Sequence, residues 1–223
     1  MNVIAFLSQK GGSGKTTLSV HTAVAAEATG ERVCVIDADP QESATAWASA
    51  REAGTPIVAT AQAGELDAAL RAAEGEGMTL AVVDAPPHAA PAAGQIARRS
   101  ELVLIPVRPS AFDLAAVPAA VEIVTAAKVR GAFVLSACPF RAPEIGETRA
   151  ALEAYGLPIV PGEITDRRAF ARAVTTGSAV TASAGRRTAS CTTAARRSRC
   201  VRVTRPASSS PSSPTPTSGT ARR

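Results

Sequence analysis

Residues 10–17 read KGGSGKTT, and this octapeptide decides how the rest of the chain is read. Gly11, Gly12 and Gly14 leave room for a backbone that curls with its N–H groups pointing inward, which makes a nest for an anion. Lys15 can reach the β- and γ-phosphates of a nucleotide, and Thr16 offers a hydroxyl to Mg²⁺. An apolar run at 2–7 precedes the loop, and a helix-compatible run at 18–28 follows it. Strand, loop and helix in that order aim the positive end of the helix dipole at the same phosphates. The competing reading is a Gly-rich turn that binds nothing. Loops of this composition are a recurrent phosphate-binding solution, so the site reading leads.

The strict phosphate-loop pattern is G-x-x-x-x-G-K-[ST], and here its first position is Gln9 rather than glycine. The loop instead carries a second lysine, Lys10. Two further stretches belong with it. The run ending in Asp37 continues as DADPQ, where Pro40 fixes its own φ and holds Asp39 out of the helical region. The run 80–83 is apolar and delivers Asp84, as a buried strand delivers a carboxylate to a metal shell. Each acid alone is weak evidence, because surface aspartates often follow strands. The three features in this order and near this spacing are strong together.

The 223 residues are enough for one domain with a sizeable core, and 46% of them are hydrophobic. Aromatics make up only 3%, so the core is expected to be Val, Ile, Leu and Ala. No stretch is long and apolar enough to span a membrane, and no signal peptide precedes the loop, so a cytoplasmic chain is expected. Cys34, Cys138, Cys191 and Cys200 lack metal-ligand spacing, and Cys34 reads as a buried thiol. His21 and His88 look incidental.

Strands are expected at 2–7, 32–37, 57–59, 79–84, 102–107, 132–135 and 157–160. Helices are expected at 18–28, 42–53, 66–73, 89–99, 114–129, 145–155 and 167–176. Alternation of apolar strands with helices implies an α/β fold with a mostly parallel, twisted sheet flanked by helices in three layers. Ligands then sit at the C-terminal ends of the strands. All three motifs lie there.

Net charge divides the chain. All 19 acidic residues lie at or before Asp166, while 185–223 holds nine arginines and no acid. The net +5 therefore belongs to the tail and is no argument for nucleic acid by itself. A boundary is expected near 184, with a nucleotide-binding domain over 1–184 and an Arg/Ser/Pro-rich tail over 185–223. Such a tail cannot offset its ordering entropy. It reads either as a disordered basic segment or as a native frame lost near Ser183, and the abrupt change of composition favours the second.

KGGSGKTT, DADPQ and VVDAPP resemble the deviant Walker A, switch I and Walker B/switch II motifs of ParA-type partition ATPases of the ParA/MinD group. The likeness runs from Met1 to about Thr181, and Pro40-Gln41 points to the ParA branch. With no helix-turn-helix segment ahead of the loop, the small subgroup without an operator-binding domain is expected. The resemblance implies ATP and Mg²⁺ as cofactors, with slow ATP hydrolysis. Gly11, Gly12, Ser13, Gly14 and Lys15 would cradle the phosphates, and Thr17 would serve the α-phosphate side. Thr16, Asp37 and Asp84 would form the metal set, the two aspartates through water. Asp39 would orient the attacking water. Lys10 would reach the partner's nucleotide in an ATP-bound homodimer.

The implied function is DNA partition: a Mg-ATP dimerisation switch that binds DNA non-specifically near the nucleoid and is stimulated by a ParB-like partner. Arg98, Arg99, Lys128, Arg130, Arg167, Arg168 and Arg172 are candidate DNA contacts. In that group an Asn often helps hold adenine after the strand matching 132–135. Here Ser136 stands near that place, and 161–168 would supply the other side of the base pocket. Alternatives are a MinD-like spatial regulator or other cargo-positioning ATPase, a different enzyme on the same loop, and an inactive product. The MinD-like route needs a C-terminal amphipathic membrane helix, which the tail lacks, so no stable membrane association is expected. A reductase of the nitrogenase iron-protein type needs cluster cysteines, and Cys34 and Cys138 fall at the wrong places.

Overall fold

In the computed structural model, which describes residues 1–88 and 90–180, six strands form one parallel sheet. In chain order the strands are β1 (Asn2–Phe6), β2 (Val33–Asp37), β3 (Ile57–Thr60), β4 (Leu80–Asp84), β5 (Leu102–Val107) and β6 (Arg130–Leu135). The helices are α1 (Lys15–Ala28), α2 (Ser43–Ser49), α3 (Leu66–Gly75), α4 (Ala90–Arg98), α5 (Ala111–Ala127), α6 (Glu144–Glu153) and α7 (Arg168–Thr175). The spatial order is β3-β2-β4-β1-β5-β6. The chain builds outward from β1 on one side, returns, and then builds on the other. The crevice beyond the C-terminal end of β1 is therefore the place for a ligand.

β2 and β4 are buried along their whole length, as strands covered on both faces must be. One apolar layer gathers Ile36, Val83, Ile96, Val117 and Phe133 against α4 and α5. The other gathers Phe6, Val20, Val35, Trp47 and Val82 under α1 and α2. Cys34 and Cys138 are buried free thiols, both pushed up to about 11 by desolvation.

Several expected limits change: α1 begins at Lys15 rather than 18, and β6 at Arg130 rather than 132. The strand at 157–160 is reduced to an isolated bridge between Phe133 and Ile159. The carbonyl of Pro158 accepts from Phe133, but prolines 158 and 161 have no N–H to donate, and Gly162 turns at φ +82°. α2 ends at Ser49 rather than 53. α5 begins at Ala111 rather than 114, because Ser110 caps it by accepting from the Asp113 N–H at 3.2 Å. The tail over 185–223, with Cys191 and Cys200, lies outside the described residues.

Candidate nucleotide site

The loop between β1 and α1 brings Lys10 to Thr17 to the crevice. Gly12 and Gly14 adopt φ +72° and +99°, left-handed values that a side chain resists. Gly11 is not left-handed, and a Cβ there would meet nothing within 4 Å, so the fold itself places no demand on it. Lys15 opens α1, is 6% exposed, and donates to the Lys10 carbonyl at 3.1 Å. Burial pushes its ammonium below the ordinary lysine value, while Asp84 and Asp39 oppose that shift.

Asp37 and Asp84 end adjacent strands and lie directly opposite each other in register. Asp84 is 1% exposed. Burial pushes its carboxyl up to about 7; a hydrogen bond from Thr16 and the Lys15 charge work against this, and Asp37 and Asp39 reinforce it. Ser19 also donates to Asp84 Oδ1 at 3.4 Å, whereas Oδ2 is buried without a hydrogen-bond partner. Burial also raises Asp37, against hydrogen bonds from the backbone N–H and hydroxyl of Thr45 to Oδ2 at 2.9 and 3.2 Å. Asp39 is half-buried, accepts from the Gln41 N–H at 3.0 Å, and borders a small cavity beside Pro40 and Gln62.

These groups fit a magnesium ion. An orphaned carboxylate oxygen, a hydroxyl on the same carboxylate, and a second acid one strand away supply hard oxygen donors. Among the described residues no three acidic, His or Cys side chains converge tightly enough to hold a metal alone. The set suits an ion that keeps waters and shares phosphate oxygens, as Mg²⁺ does.

The sequence did not single out Asp113. It lies at the start of α5, 5% exposed, and pairs with the Lys10 ammonium while accepting from the Ser110 hydroxyl at 2.6 Å. The S-x-x-D pattern at 110–113 is a helix-start signal that pointed to it. Thr45 and Ser19 were likewise unmarked, because hydroxyls in helices leave no pattern.

Beside the loop lies a cavity of about 160 Å³ lined by Gly14, Thr17, Ser136, Ile164, Arg167 and Phe170. Ser136 does stand there. Its hydroxyl donates to the Ser13 carbonyl at 2.9 Å, so it anchors the loop to β6. The candidate basic residues divide. Arg167, Arg168 and Arg172 belong to α7 and its entry, near this cavity, while Arg98, Arg99, Lys128 and Arg130 lie toward the opposite pole, where β6 begins. Arg99 there is paired with Asp67 at 2.7 Å.

Residues 4–180 match the family model of the CobQ/CobB/MinD/ParA nucleotide binding domain. The chain belongs to that family. Among curated relatives, the maintenance of carboxysome distribution protein A of Gloeobacter kilaueensis is 41% identical over 116 residues, 51% of this chain and 52% of that protein. The match thus spans about half the length of that relative. The protein of the same name from Halothiobacillus neapolitanus is 28% identical over 187 residues, 79% of this chain and 85% of that one. The structure of apo McdA from Cyanothece superposes with a TM-score of 0.66 at 18% identity, covering 81% of this chain and 92% of that one, a likeness of fold. No described helix is long and apolar enough to cross a membrane.

Proposed function

We propose that this chain is a Mg-ATP-dependent positioning ATPase of the ParA/MinD group that distributes a large cargo, of the carboxysome kind, inside the cell. The names of the relatives move the reading from DNA partition to cargo positioning. The observation that supports nucleotide hydrolysis is the grouping of Lys15, Thr16, Asp37 and Asp84 around an unpartnered buried carboxylate oxygen.

In this reading the backbone of Gly11, Gly12, Ser13 and Gly14 and the Lys15 ammonium bind the phosphates, and Thr17 serves the α-phosphate side. Thr16 would ligate Mg²⁺, and Asp37 and Asp84 would hold it through water. When bound, the ion neutralises charge developing on the phosphoryl oxygens. Asp39 orients the attacking water. Without a strong base, turnover is slow, as suits a switch. Lys10 reaches the nucleotide of a second copy, so hydrolysis follows dimerisation. The dimer then grips DNA as a matrix through scattered arginines and lysines, near the nucleoid in the cytoplasm, and a ParB-like or equivalent cargo-borne partner stimulates turnover. The domain ends near 184.

ATP turnover with and without DNA, for wild type and Lys15→Ala, tests this. Turnover lost in the variant supports the site, and unchanged turnover removes it. Cargo that stays evenly spaced in cells carrying only Lys15→Ala overturns the positioning role.

A further inference from the structure

α2 is seven residues long, too short to persist unaided. Two parts of the chain outside it hold it, one just upstream and one distant in sequence. At its N-terminal end the Glu42 side chain gives no cap, and Asp37 Oδ2 accepts from the Thr45 N–H and hydroxyl instead. At its C-terminal end residues 177–179, arriving from α7, lie across it like a strap. The Trp47 indole Nε1 donates to the Ser178 carbonyl at 2.9 Å. The Arg51 guanidinium donates to the Gly177 carbonyl at 2.9 Å and lies 5.0 Å over the Trp47 ring. Ala179 is fully buried in the same apolar layer as Trp47 and Val58.

The approach is close enough to demand glycine. A Cβ on Gly177 would lie 2.3 Å from the Arg51 backbone nitrogen, and its φ is +62°. The other end of α7 borders the cavity beside the nucleotide loop, where Phe170 packs 5.0 Å from the His21 ring of α1. One helix and its strap therefore run from the nucleotide cavity to the element that fixes Asp37.

We propose that the strap at 177–179, acting through Trp47, Arg51 and α2, is the positioning element for the Asp37 carboxylate toward magnesium. This rests on the nucleotide and magnesium reading above. Thr45 orients Oδ2 of Asp37, while Oδ1 accepts from the Asp39 N–H at 3.3 Å; Thr45 is placed by α2, and α2 is placed by the strap. Loosening the strap leaves the phosphate loop intact and degrades only the metal side of the site.

The test measures the affinity of the full chain for methylanthraniloyl-ADP by fluorescence, with excess Mg²⁺ and again in EDTA. Trp47→Phe keeps an aromatic six-membered ring but removes the Nε1–H and the pyrrole half of the buried indole, leaving the Ser178 carbonyl unpaired. Arg51→Gln removes the bond to Gly177 at the rim, together with the one from Nε to the Thr55 carbonyl at 2.6 Å, and carries the test if Trp47→Phe misfolds. The expected result is that each variant loses about five-fold of the affinity gained from Mg²⁺, the equivalent of one hydrogen bond, with affinity in EDTA unchanged. Asp37→Asn removes that gain, and Trp47→Phe added to it costs nothing further. Equal loss in EDTA and in Mg²⁺, or a full Mg²⁺ gain in both strap variants while Asp37→Asn loses it, overturns the proposal alone. A full gain in Asp37→Asn, or no binding by wild type, overturns the magnesium or nucleotide reading itself.

Discussion

The Lys10 ammonium is bound within its own chain to the Asp113 carboxylate, 103 residues away, with the Asp113 side chain 4% and the Lys10 side chain 35% exposed. If Lys10 serves a second copy, this pair has to be exchanged for a phosphate. Asp113→Asn removes the charge and keeps the shape. ATP-dependent association of the variant is then expected at lower protein concentration, by up to about five-fold if the pair contributes ~1 kcal/mol. Sedimentation of wild type and variant with ATP and Mg²⁺ measures it. Identical association curves mean the pair does not hold Lys10 back.

Asp84 is buried against its own charge. Burial raises its carboxyl to about 7, so the folded chain keeps a proton that the unfolded chain releases near pH 4. Between those values the folded state binds more protons, and the contribution of Asp84 to stability falls as pH rises. Asp84→Asn relieves this. At pH 7.5 the ligand-free variant should melt higher, by about 2–4 °C for each kcal/mol relieved, and should lose Mg²⁺-dependent nucleotide binding. A Tm equal to wild type at both pH 5 and pH 7.5 rejects the buried charge.

Much of this architecture was legible because local signals agreed. β5 was read at its observed limits, since 102–107 is a continuous apolar run closed by proline and polar residues. Asp37, Asp84 and Lys15 were legible because each ends a strand or opens a helix, and the α/β alternation puts those points on one edge. Contacts between sequence-distant groups were not. Nothing near Trp47 announces that Ser178 accepts from it, and nothing near Lys10 announces Asp113. The short strand at 157–160 failed because two prolines removed ladder donors that its hydrophobicity alone did not reveal.

His21 offers a second titration of opposite sign. It is 8% exposed, its Nδ1 lies 2.7 Å from the Thr17 carbonyl, and Nε2 is buried without a partner. Burial lowers its pKa below the ordinary histidine value. The unfolded chain therefore binds a proton that the folded chain refuses, and stability falls as pH drops below about 6.5. His21→Gln does not titrate. Urea midpoints measured from pH 8 to pH 5 should fall more steeply for wild type than for the variant, and parallel curves would exclude His21 as the cause.

Ser136 stands where an adenine contact was expected, but its hydroxyl holds the loop instead, donating to the Ser13 carbonyl at 2.9 Å. Both residues are buried, at 3% and 1% exposure, on the wall of the cavity beside the loop. Ser136→Ala leaves the Ser13 carbonyl unpaired and frees the loop from β6. The expected cost is ~1–2 kcal/mol of stability, with nucleotide affinity weakened by a similar free energy because the loop must then be ordered on binding. Since the hydroxyl is committed to Ser13, discrimination between ATP and GTP should not change. Calorimetric titration of both nucleotides into wild type and variant separates the two roles: a uniform loss fits a loop anchor, and a loss confined to ATP makes Ser136 a base contact after all.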